Sequence, residues 1–160
     1  MLENYESMVR TCYAPLMEQY NLSFAAYDGD EFFLVGNGFA LYTFIDRMDR
    51  RGDTWYVSLS ADGIIRTHTL MYISKERFTQ KDRAIGRTPK TIDERIEVTL
   101  LIKCAGFLNH CQDILSGDKA WLMNYPDQGD YSRHVARFLA PYFQQQGYYV
   151  NPPAGVNTPY

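Results

Sequence analysis

Apolar residues recur every three to four positions at Leu2, Tyr5, Met8, Val9, Cys12, Tyr13, Leu16 and Met17, which places them on one broad helical face. This predicts a docking helix over residues 2–20, ended near Asn21 and kinked or interrupted at Pro15, which lacks a backbone donor. From Leu22 the period drops to two. Leu22, Phe24 and Ala26 alternate with Ser23, Ala25 and Tyr27, and Asp28-Gly29-Asp30-Glu31 supplies a tight turn. Residues 32–35 return as a strand broken at Gly36-Asn37-Gly38. A longer strand over 39–48 carries Leu41, Thr43 and Ile45 on one side and Tyr42, Phe44, Asp46 and Met48 on the other. Arg50-Arg51-Gly52-Asp53 turns into alternating Trp55, Val57 and Leu59, and Ala61-Asp62-Gly63 turns into residues 64–73. The pattern is that of an antiparallel meander of four to five strands.

Residues 74–90 are polar and basic and contain Gly86 and Pro89, as expected of a loop. Thr91-Ile92-Asp93-Glu94 has the spacing of a capping box and opens a long helix to about Ser116. Leu101, Cys104, Ala105, Leu108, Cys111 and Leu115 line one face of it, and Gly117 is placed for a left-handed cap. Asp130 is positioned to cap a last helix through Val135, Phe138, Leu139, Tyr142 and Phe143, bent at Pro141 and stopped at Gly147. The expected fold class is α+β: an N-terminal helix, the meander sheet, and two C-terminal helices packed on one face. A single domain spans 1–147, and 148–160 form an extended, proline-rich tail.

Composition supports an ordered chain. With 160 residues, 46% apolar and 22% charged, one core burying roughly 70% of the unfolded surface is expected. The 15% aromatic share includes thirteen tyrosines, which suit strand surfaces and interfaces. The N-terminal residues lack a basic region followed by an apolar run, and no apolar stretch approaches the ~18 residues of a membrane helix. Cys12, Cys104 and Cys111 lack metal-ligand spacing and are expected to be reduced, buried thiols of a cytoplasmic protein. Charge is uneven. Ten acids against four bases leave −6 through Asp62, whereas nine bases against five acids leave +4 from Gly63 to Lys103.

Candidate chemistry is sparse. His68 lies in a strand with Thr67 and Thr69 on the opposite face, and His110 and Cys111 diverge by about 100° on a helix, so neither position makes a local catalytic pair. His134 is expected to face solvent. Gly36-Asn37-Gly38 precedes a strand and lacks the lysine of a phosphate-binding loop. The run Lys75, Arg77, Lys81, Arg83, Arg87 and Lys90 is basic, but the acidic front half argues against nucleic-acid binding. Asp46, sharing a strand face with Tyr42, Phe44 and Met48, is the carboxylate best placed for acid–base work if buried. The expectation is a protein with no catalytic residues, cofactor or metal.

The acidic, aromatic stretch 27–60 stands out as a recognition surface. The order of a leading helix, strands through Phe39-Ala40-Leu41-Tyr42 and Trp55-Tyr56-Val57-Ser58-Leu59, and a long helix ending in Ile114-Leu115-Ser116-Gly117-Asp118 resembles bacterial immunity proteins of polymorphic-toxin and interbacterial-competition loci. The likeness covers residues 2–139 in pattern, without a diagnostic motif. It implies binding to a cognate toxin encoded by the adjacent gene and blocking its active site, by a protein monomeric when free. Asp28, Asp30, Glu31, Asp46, Asp49 and Asp53, with Tyr42 and Trp55 as anchors, are the candidate contacts. A dimeric chaperone for a secreted effector is the alternative. A small enzyme, with a pocket around Asp46, His68 or His110, is a third.

Overall fold

The change from helical to alternating periodicity after Leu22 is where the structure turns from helix to sheet. The computed structural model describes residues 4–84, 88–125 and 128–151. Helix α1 (Glu6–Tyr20) ends at Asn21 in the left-handed conformation, φ 53°. It stays continuous through Pro15, whose ring lies on the exposed side with Thr11, so water can satisfy the Thr11 carbonyl that loses its helical donor. Strands β1 (Ser23–Ala26), β2 (Glu31–Val35), β3 (Phe39–Asp46), β4 (Arg51–Leu59) and β5 (Ile65–Thr69) form one antiparallel sheet in sequential order, the predicted meander.

Beyond the sheet the chain is more helical than its composition suggests. β5 stops at Thr69, and α2 (Met71–Arg77) and α3 (Gln80–Arg83) take up residues 74–77 and 80–83 of what reads as a basic loop. Thr79 and Asp82 form a full capping box that starts α3, a signal masked by the surrounding lysines and arginines. Helix α4 (Ile92–His110) begins as predicted, with Glu94 N donating to Thr91 Oγ1 at 3.0 Å. The reciprocal bond falls one residue earlier, from Lys90 N to Glu94 Oε2 at 2.6 Å. The long helix breaks at Cys111 and resumes as α5 (Gln112–Leu115), with Gly117 at φ +90° behind it. Short α6 (Ala120–Met123) precedes α7 (Arg133–Gln145), which is continuous through exposed Pro141. Asp130 does not cap α7. Its backbone exchanges two 2.8 Å hydrogen bonds with Thr67, adding an isolated bridge to the outer edge of β5.

The two C-terminal helices do not share a face, contrary to expectation. On one side of the sheet, Phe32, Leu34, Leu41 and Tyr56 pack with Val9, Tyr13 and Leu16 of α1 and with Ile96, Leu100, Cys104 and Phe107 of α4. On the other, Phe33, Val35, Ala40, Val57, Leu59 and Ile65 pack with Val135, Leu139 and Phe143 of α7. The unbroken apolar run Phe32-Phe33-Leu34-Val35 demands this, because adjacent strand residues point to opposite faces and all four are buried. The first face also holds a polar cluster, with Tyr13 Oη 2.6 Å from Thr54 Oγ1 and Thr43 Oγ1 2.9 Å from the same atom.

Two glycines set how closely helices approach. A Cβ at Gly52 would sit 2.4 Å from Leu100 Cδ2, and one at Gly106 would sit 2.3 Å from Phe78 Cζ. The start of the tail is docked: Tyr148 Oη donates to Asn37 Oδ1 at 3.0 Å, Val150 is buried, and Asn151 N donates to Gly63 O at 2.9 Å. Leu2, Gly86, Arg87 and residues 152–160 of the predicted tail lie outside the described residues.

Candidate functional site

α7 covers only part of its sheet face. Phe138 stacks on Phe33, with centroids 5.1 Å apart, and His134 meets the Tyr42 ring edge-on at 6.2 Å near the helix start. Beyond that point no described helix covers the same face. Strand alternation places Tyr42, Phe44 and Asp46 of β3 there, beside Asp53 and Trp55 of β4, and all five are partly exposed. The rings form a connected run. Phe33 and Tyr42 stack at 5.0 Å, Tyr42 and Phe44 lie 5.2 Å apart, and Phe44 meets Trp55 edge-on at 5.9 Å. Phe44 belongs to this surface although the sequence candidates omit it. Its position two residues from Tyr42 on one strand was the available signal.

The candidate acids separate by role. Asp28 Oδ1 accepts from Asp30 N and Glu31 N, both at 2.8 Å, and Asp46 Oδ1 accepts from Met48 N and Asp49 N, both at 3.0 Å. These two carboxylates hold hairpin turns in shape. Asp30 receives Arg47 Nη2 at 2.8 Å and Nε at 2.9 Å. Glu31 accepts from Tyr42 Oη and lies 2.8 Å from His134 Nε2, so His134 is not simply solvent-facing. Burial, then the Glu31 hydrogen bond and charge, push the Tyr42 phenol well above its ordinary range. Asp53 accepts from Thr54 N at 2.9 Å and pairs with Lys103 at 3.6 Å. Asp49 is the least committed. Its side chain is 66% exposed, 3.8 Å from Arg51, beside Met48 at the hairpin tip. Tyr42, Asp46, Asp53 and Trp55 are therefore brought together on one face, while Asp28, Asp30 and Glu31 are tied into the turns and the α7 junction.

Cys111, His110 and His68 lie apart from this surface. Cys111 is fully buried, and burial pushes its thiol up to about 11, the opposite of what a nucleophilic thiolate needs. His110 lies 2.8 Å from Asp82 instead of reaching Cys111. His68 does acquire a hydroxyl partner, but from the neighbouring strand: Ser58 Oγ lies 2.7 Å from His68 Nε2. The imidazole is enclosed, and a Cβ on Gly129 would approach its Cε1 to 2.5 Å. This is a packed histidine whose ring nitrogen Ser58 satisfies. Among the described residues no group of three His, Cys, Asp or Glu side chains converges as metal ligands, and no described helix is long and apolar enough to cross a membrane.

The fold and this surface define an α+β protein with one sheet layered between helices and, among the described residues, a partly exposed aromatic patch on one sheet face. No protein-family model, curated protein or solved structure matches the chain.

Proposed function

We propose that the protein acts by binding another protein, as an immunity-type inhibitor that fills the active-site cleft of a cognate toxin and performs no catalysis itself. The observation that carries this is the partly exposed run Tyr42, Phe44 and Trp55, held on two paired strands and rimmed by Asp46, Asp49 and Asp53. Rigid aromatic anchors on a strand surface lose little conformational freedom on binding, and Trp and Tyr are the residues that most often dominate interface energies. Residues 1–62 carry −6, so the complementary partner has a basic cleft, as enzymes acting on nucleic acids or nucleotides have. The free protein would then be a monomer.

The test is co-purification with the product of the adjacent gene, followed by affinity measurement with Trp55→Ala and Asp49→Asn. Trp55→Ala should weaken binding at least about tenfold, a loss of about 1.4 kcal/mol, and Asp49→Asn should slow association and reduce its salt dependence. Affinity within about twofold of the parent for both variants would remove this face from the interface. Light scattering of the free protein separates the chaperone alternative: a homodimer abolished by Trp55→Ala would assign the face to self-association.

A further inference from the structure

The basic segment after β5 has a structural role that its composition does not suggest. β5 ends opposite Trp55, so residues 51–54 of β4 continue without a strand on that side. α2, Arg83 of α3 and α4 close around this gap and leave a cavity of about 470 Å³. Trp55, Phe78 and Phe107 contribute to its apolar lining. Arg51, Lys75, Arg83 and Lys103 also line it, against a single carboxylate, Asp53.

These cations are poorly compensated. Lys103 has Asp53 at 3.6 Å, and Arg51 has Asp49 at 3.8 Å. Arg83 donates to the Ser74 carbonyl at 3.0 Å, a neutral partner. Lys75 has no carboxylate partner within ion-pair distance among the described residues. The lining therefore carries three net positive charges in a protein whose total is −3. Like charges focused into a hollow raise its potential and favour entry of an anion. Arginine forks and lysine heads suit phosphate oxygens, and a ring-lined wall suits a planar apolar body.

We infer that this cavity is a binding site for a small phosphorylated anion carrying a planar ring, of the size and charge of a nucleoside diphosphate. The volume lies within the range of small-molecule sites, and the negative total charge disfavours a long polyanion. The site borders the open sheet face through Trp55 and Asp53 but does not depend on toxin binding.

The experiment is titration of the intact protein with ADP, followed by calorimetry and by tryptophan fluorescence, since Trp55 is one of only two tryptophans. Saturable binding with a change in emission is expected. The exposed pair Lys75→Gln/Arg83→Gln should weaken it at least about tenfold, because each charge-assisted contact contributes measurably. The pair Arg10→Gln/Arg66→Gln makes the same change in total charge away from the cavity and should leave affinity unchanged. Thermal unfolding establishes that both variants are folded. Inorganic pyrophosphate should bind more weakly than ADP. Absence of ADP binding at millimolar concentration, equal loss in both double variants, or pyrophosphate binding as tightly as ADP would each overturn the assignment.

Discussion

Replacing Asp82 with asparagine tests whether the short α3 is held in place by one buried charge. The Asp82 side chain is only 2% exposed. Burial is the largest single influence on its carboxyl and by itself would raise the pKa. Hydrogen bonds from Thr79 N at 2.7 Å, Asn109 Nδ2 at 2.8 Å and Thr79 Oγ1 at 3.1 Å, with His110 Nε2 at 2.8 Å, outweigh it and hold the value at about 2. A fall from 3.8 to about 2 corresponds to roughly 2–3 kcal/mol of stability. Because the folded value is the lower one, this stability is fully present above the unfolded value and is lost as pH falls from about 4 through about 2. Asparagine keeps the shape but replaces an acceptor with a donor amid other donors, so Asp82→Asn should cost about 2–4 kcal/mol at neutral pH. Urea unfolding of parent and variant from pH 6 to pH 2 measures both quantities. The other carboxylates, including Asp113 with its pKa lowered by the Arg77 hydrogen bond, titrate in both proteins and cancel in the difference. The gap between the two proteins should therefore narrow between pH 4 and pH 2. A gap that stays constant across that window would refute the role assigned to the buried charge.

Gly106→Ala should destabilise by about 1–3 kcal/mol in urea unfolding although alanine is the better helix former, because the new methyl meets the Phe78 ring at 2.3 Å. Stability equal to the parent's would mean that α2 and α4 can move apart freely. The thiols should be inert in the folded state, since burial pushes Cys12 up to about 12 and Cys104 and Cys111 up to about 11. Ellman's reagent at pH 8 should label all three at once after denaturation and none rapidly before it. A fast-reacting native thiol would contradict the burial of that residue.

Local periodicity carried most of the fold. Alternation placed β1, β3 and β4, because a strand with one buried face repeats every two residues, and a short apolar run bounded by turns placed β2. Thr91 and Glu94 marked the start of α4 through a bond that depends only on sequence neighbours. Expectation failed where the deciding partner is distant. Asp130 resembles a helix cap until Thr67, sixty-three residues away, takes both its backbone groups. Pro15 and Pro141 look like breaks, yet both rings sit on exposed sides of their helices. The separation of α4 and α7 onto opposite faces was legible in the run Phe32-Phe33-Leu34-Val35, since a strand buried on one side alone would have carried polar residues at alternate positions.

The surface charges were the least legible feature, for a physical reason. A carboxylate's availability depends on what reaches its oxygens, and composition does not record that. Asp28 and Asp46 each hold the two backbone donors that follow them, so they are bound locally whatever the partner. Glu31 meets His134 across 103 residues, and Asp53 meets Lys103 from α4, pairings set by helices that periodicity alone could not dock. The basic run divides in the same way. Arg77 forms two hydrogen bonds to Asp113, at 2.7 and 3.1 Å, whereas Lys75 and Arg83 border the cavity beside β4. Docking of α2 and α3 against α4 thus divides one stretch of positive charge into a structural arginine and a pair that faces the cavity beside β4. It also leaves Trp55 at the border of both the open sheet face and the cavity, so a ring that sequence marked as a protein anchor is equally placed to report on a small anion.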